Sequence, residues 1–126
     1  MRVFYSGPDG GKDSGVTGYW LIEWKRAFSI VLLRFKPGSR EAFHSHAFNA
    51  WTWWLRGDVQ EQHLEGGLVP WGPSWKPKRT LKSCFHRVIA GPKGAWALSF
   101  RGPWEATWLH HENGETYRLT NGRKRI

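Results

Sequence analysis

Cysteine is almost absent. The single thiol, Cys84, rules out an internal disulfide framework and suits a reducing compartment. Carboxylates are scarce too, ten against nineteen Lys and Arg, which leaves a net charge of +9. No paired-carboxylate pattern stands out among them, and no Ser/His/Asp arrangement can be inferred. Long apolar runs are missing. The longest, Ala27 to Leu33, is broken by Ser29 and is far too short to span a bilayer. The first fifteen residues lack the apolar stretch of a signal peptide. The expectation is a soluble cytoplasmic protein with no membrane contact. Sustained 3.6-residue periodicity is also lacking, so no major helix is expected.

What the chain does have is aromatic surface, turns and short strands. Ten Trp, seven Phe and three Tyr favour strands, and 15 Gly with 7 Pro supply the turns between them. The size, 126 residues, fits one domain. Residues 1–15 read as an N-terminal arm or loop, and residues 121–126 as a basic tail. Within the arm, Gly11-Lys12 fails as a phosphate loop, because Ser6 and Asp13 stand where that pattern needs Gly and Ser or Thr.

Strands are predicted at Tyr19 to Trp24, Phe28 to Phe35, Phe43 to His46 and Ala50 to Arg56. Gly57-Asp58 is read as a reversal into a polar strand, Val59 to Leu64, with His63 near an exposed edge. Pro70 to Pro77 reads as irregular. Thr80 to Ser83, His86 to Ala90, Ala95 to Arg101, Ala106 to His110 and Thr116 to Thr120 complete the run, with Gly91-Pro92-Lys93-Gly94 as a turn. Regularly spaced short strands point to an all-β sandwich or barrel.

The histidines carry the chemistry. His44 and His46, two apart on a strand, share a face, as a pair of metal ligands must. Two surface histidines would have the same spacing. Adjacent His110 and His111 would face opposite sides of a strand. Cys84 shares a strand face with His86. The basic residues are mostly dispersed. The densest groups are Lys76-Lys78-Arg79-Lys82 and Arg123-Lys124-Arg125, which suit a solvated surface better than a nucleic-acid footprint.

Context sharpens the histidine reading. Gly38, His44-Ser45-His46, Ala50 and Gly57 resemble the first cupin motif, Gly-x5-His-x-His-x3-Glu-x6-Gly, at every spacing, with Ala50 in place of the Glu. Ser83-Cys84-Phe85-His86 stands where the second motif has Gly-x-x-His. Trp54-Leu55-Arg56-Gly57-Asp58, His86-Arg87-Val88 and the segment from Ala95 to Pro103 are similar to short bacterial and phage cupins.

The resemblance, from about Arg34 to Trp108, implies a double-stranded β-helix, or jelly-roll barrel. It implies metal ligands His44, His46 and His86, and a divalent ion such as Fe, Mn, Zn or Ni. If Ala50 faces the cavity, Thr52 and Trp54 face it too, while Trp51, Trp53 and Leu55 point away. Thr52 and Trp54 are then candidate substrate contacts, and Arg34 is a candidate for binding an anion. The implied function is a metal-dependent small-molecule enzyme, dioxygenase- or isomerase-like, in the cytoplasm of a bacterium or phage-infected cell. Two alternatives stand beside it: a non-catalytic ligand-binding, structural or regulatory cupin, and, less favoured, a basic nucleic-acid-associated protein. A homodimer is implied by analogy.

Overall fold

The computed structural model describes residues 1–9, 14–38, 43–45, 48–64, 66–81, 86–105, 107–112, 114–120 and 124–125; of residues 43, 44, 112, 124 and 125 it describes only the backbone. These residues form eleven strands: β1 (Arg2–Pro8), β2 (Val16–Trp24), β3 (Phe28–Phe35), β4 (Phe43–His44), β5 (Ala50–His63), β6 (Leu68–Trp71), β7 (Lys78–Thr80), β8 (His86–Arg101), β9 (Thr107–Glu112), β10 (Glu115–Thr120) and β11 (Lys124–Arg125). The described residues contain no helix, and none long and apolar enough to cross a membrane.

All pairings are antiparallel, and two long strands organise them. β8 pairs with β5 from His86 to Arg101 along one edge. Its other edge is shared, β3 taking residues 95–101 and β4 meeting His86. On the far edge of β5, β7 takes residues 50–52 and β6 takes residues 59–62. β5 and β8 therefore run through two sheets. One carries β1, β2, β3 and β7; the other carries β4, β6 and β9–β11.

The two strands bend together. Gly57 takes φ +81°, and a Cβ there would lie 2.1 Å from the Gly94 carbonyl oxygen. No side chain fits so close to backbone. Gly57-Asp58 and residues 91–94 are thus bends inside continuous strands. The reversal and the turn predicted for them do not occur, because their glycines absorb the curvature without breaking the pairing. The arm is likewise more ordered than expected. Residues 2–8 form β1, held by Tyr5 stacked on Trp20 at 4.8 Å. β6 takes Leu68–Trp71 from the stretch read as partly irregular. β7, Lys78–Thr80, begins two residues before the strand predicted from Thr80, and Lys82 and Ser83 lie outside the described residues.

Alternation sorts the side chains. Val31, Leu33 and Phe35 of β3 face inward, as do Ala95, Ala97 and Ser99 of β8. They join Val16, Trp20, Trp54 and Val59 in the main core; Phe48, Ala50, Trp108 and Leu119 form a second cluster. The outward face of the first sheet is also apolar. Phe100 and Trp51 stand beside one another there, each more than 40% exposed.

The bend yields a test. Gly57→Ala meets both an unfavourable φ and a backbone clash, and is expected to cost about 2–4 kcal/mol in denaturant unfolding. Gly38 also has positive φ, +65°, but open space around it. Gly38→Ala is expected to cost only about 1 kcal/mol.

Candidate functional site

The inward faces of the two sheets line a partly open cavity of about 70 Å³. Its apolar wall includes Leu33, Phe35, Phe48, Trp54, Trp71 and Val88. Its polar wall includes Asp9, Glu61, Lys78, His86 and Arg101. Thr52 and Trp54 line it, while Trp51 and Leu55 are exposed and Trp53 is outside the lining. Phe35 and Trp54 pack with ring centroids 5.4 Å apart.

Arg34 does not reach the cavity. It alternates with inward Leu33 and Phe35, so its side chain emerges on the outer face over the Trp96 ring, 5.7 Å from the centroid. The reading of Arg34 as an inward anion contact is corrected by that alternation. The cavity's arginine is Arg101, which is 4% exposed. It stands in register opposite Ala50, the position that departs from the motif Glu. Its Nη1 and Nη2 donate to Asp9 Oδ1 and Oδ2 at 3.3 and 2.8 Å. Asp9 is fixed in turn: its N–H donates to Val16 O at 2.9 Å, and Ser14 Oγ–H donates to its carbonyl.

At the other end of the polar wall lies Glu61, only 2% exposed. Lys78 Nζ and His86 Nδ1 both bond to its Oε2. Trp71 Nε1 donates to Oε1 at 3.3 Å, and His63 Nε2 lies 3.5 Å from Oε1. Burial pushes the Glu61 carboxyl upward. The hydrogen bonds and charges of His86 and Lys78 outweigh that and hold it down at about 2. An ionised carboxylate only accepts, so His86 Nδ1 carries a proton.

Glu61 and His63 were expected on a polar strand near an exposed edge. Instead β5 is flanked there by β6 and β8. The register slips between Trp54 and Arg56 and again between Gly57 and Val59. The first slip leaves Leu55 as an extra residue and changes which parity of β5 faces inward, Ala50, Thr52 and Trp54 before, Val59 and Glu61 after; the second is an excess of residues on β8 and leaves that parity unchanged. Simple alternation from Ala50 would have turned Glu61 outward. Lys78, read as part of a solvated basic group, gives its ammonium to Glu61 and to Thr80 Oγ1. Arg101 could have been found from the inward series Ala95, Ala97, Ser99.

Of the three proposed ligands, His86 is buried on the cavity wall. The His44 backbone stands in register between His86 and His110. His46 and Cys84 lie outside the described residues, and no group of three metal-binding side chains is found among those described. His110 is buried and its neighbour His111 bonds Thr116 Oγ1 at 2.6 Å, the opposed placement that alternation requires.

The Glu61 pairing gives stability a pH dependence. A carboxyl held near 2, against an ordinary 4.5, stabilises the fold above pH 4.5 and loses that contribution as pH falls toward 2. The difference corresponds to about 3 kcal/mol. Glu61→Gln is expected to lower unfolding free energy by roughly that amount at pH 7 and to show a flatter decline in acid. Denaturant titrations at pH 7, 4 and 3 measure both.

No family model matches the sequence, and no curated protein does. Solved structures do match in shape. The polyketide cyclase RemF from Streptomyces resistomycificus superposes with a TM-score of 0.69 at 17% identity, over 86% of this chain and 78% of that one. A protein with a double-stranded β-helix domain from Klebsiella pneumoniae gives 0.65 at 15% identity, over 82% of this chain and 90% of that one. A sugar phosphate isomerase of the cupin superfamily from Silicibacter pomeroyi gives 0.57 at 11% identity, over 89% and 80%. At such identities the likeness is one of fold. Two bent strands shared between two antiparallel sheets around an internal cavity, matched by these structures, give the chain the cupin fold, a double-stranded β-helix.

Proposed function

We propose that the cavity is the site of a metal-dependent enzyme acting on a small oxygenated molecule, with His44, His46 and His86 holding a divalent ion. One observation carries this reading: His86 is clamped through Nδ1 by a buried, ionised Glu61. A carboxylate on one imidazole nitrogen orients the ring and makes the other nitrogen a better ligand, the usual support for a metal-bound histidine. The donor chemistry therefore suits a divalent transition ion. His44, beside His86 in register, and His46 would supply the other imidazoles.

Ala50 offers no donor, and Arg101 opposite it is a cation. That favours three imidazoles over a fourth protein ligand at this place. Asp9 compensates the Arg101 charge, which lessens repulsion toward an ion.

When bound, such an ion would supply Lewis-acid chemistry. The chain's own groups would do the rest. Glu61 fixes the His86 tautomer. Lys78 keeps Glu61 ionised and presents an ammonium at the cavity wall. Phe35, Trp54 and Phe48 exclude water from the organic body. An isomerase-like reaction is preferred to a dioxygenase-like one. The polar wall is rich in groups that hold protons, and the fold neighbours include a sugar phosphate isomerase and a polyketide cyclase.

The test is metal analysis of protein purified without an immobilised-nickel step. The expected result is about one divalent ion per chain, lost in His86→Ala and in His44→Ala. In Glu61→Gln, which keeps the imidazoles, metal affinity is expected to fall about 10- to 100-fold. Metal-free protein whose melting temperature ignores chelators would replace this reading with that of a non-catalytic binding protein.

A further inference from the structure

The strand pairing brings one more histidine to the proposed metal. β4 lies between β8 and β9, and its His44 stands opposite His86 on one side and His110 on the other. Residues opposite one another in an antiparallel ladder belong to one face of the sheet. His86 and His110, each opposite the same residue of β4, therefore share a face. Burial identifies it as the inner one. His86 is 5% exposed and His110 8%. Along β9, Trp108 and His110 are buried while Leu109 and His111 are less so.

Ser45 fixes this register. It lies between His44 and His46 and ties β4 to β9 twice. Its N–H donates to Leu109 O at 2.9 Å, and its hydroxyl oxygen accepts from Leu109 N–H at 2.9 Å. Leu109 precedes His110, so the contact that anchors the His44-Ser45-His46 segment also seats His110 beside it. Tyr117, opposite His110 on β10, packs against the imidazole with ring centroids 5.3 Å apart. Packing on Tyr117 alone would be served as well by Phe or Leu.

Neighbouring strands are about 4.8 Å apart, so β8 and β9 are separated by about 10 Å across β4. Imidazoles from two such strands of a concave barrel wall can share one ion. His63 is also opposite His86, on β5. Its Nε2 lies 3.5 Å from Glu61 Oε1 and its side chain is half-buried, so it serves the carboxylate instead.

We propose that His110 is a fourth protein ligand of the divalent ion, joining His44, His46 and His86. This rests on reading the site as a metal centre, and it names a ligand outside both histidine motifs. Ala50 offers no donor at its place, where Arg101 stands opposite. His110 makes up the set from a different strand. An imidazole in place of a carboxylate leaves the ion its full 2+ charge. A strictly four-coordinate ion would then have no position left for substrate, so this set suits an ion that takes five or six ligands.

The experiment is titration of the full chain, first stripped of metal, with Co²⁺. Visible absorption bands report the donor set, and a competing chelator reports affinity. His110→Ala is expected to weaken Co²⁺ binding at least about 100-fold and to shift the bands, because a donor atom is lost. His111→Ala, on the other side of β9 and bonded to Thr116, is expected to change neither. Glu61→Gln is expected to weaken binding with the bands nearly in place, because it acts through His86 and touches no ion. His110→Gln, which keeps size and polarity, carries the same expectation as His110→Ala should the latter fail to fold. X-ray absorption of the Co²⁺-loaded unaltered chain is expected to show four imidazoles. Three imidazoles there, or unchanged bands and affinity in the His110 variants, overturns the assignment. Unaltered protein that binds no Co²⁺ removes the metal centre and this ligand together. Co²⁺ bound identically with and without the His110 imidazole removes the ligand alone.

Discussion

Glu61 is a carboxylate taken out of water, and the site is arranged around what that requires. An ionised group so deeply buried is tolerated only with hydrogen-bonded, oppositely charged partners. Lys78 comes from β7, His86 from the start of β8, and the Trp71 indole from β6. Three strands remote in sequence are thus tied to one side chain of a fourth. Removing any partner leaves the others facing a poorly compensated charge. The interaction that stabilises the lower end of the cavity is also the one that fixes the protonation of His86.

A second ion pair does similar work at the opposite end. Asp9 and Arg101 are separated by 92 residues in sequence, yet they meet with two-point geometry across the cavity wall. Between these pairs lies a largely apolar channel. Two neutralised ends and an apolar middle leave the cavity wall with little net charge.

Much of this was legible in the residues, and the illegible part has one physical origin. Strand content, the inward placement of Thr52 and Trp54, and the buried His86 follow from alternation and motif spacing. Alternation is reliable only while a strand stays regular. Leu55 and Gly57 lie where the register of β5 slips, and beyond them the same counting rule gives the wrong face. Glu61 was lost for that reason, and His63 with it. Lys78 was lost because a run of cations reads as solvated surface, and only tertiary structure shows that one of them has a buried carboxylate to meet. Arg34 failed for the simpler reason that it sits between two inward residues. His46 and Cys84 fall outside the described residues, so spacing alone still speaks for them.

The slip in β5 has an evolutionary consequence. Because exposed Leu55 and Arg56 set a count more than they supply contacts, drift among related sequences should be permissive toward replacement at those two positions, though not at Gly57, and intolerant of a single insertion or deletion. Losing one residue would turn the carboxylate out toward solvent and rotate Gln60 or Gln62 into its place. Two sequences could then share every recognisable motif on either side of the bend and still have chemically unrelated interiors.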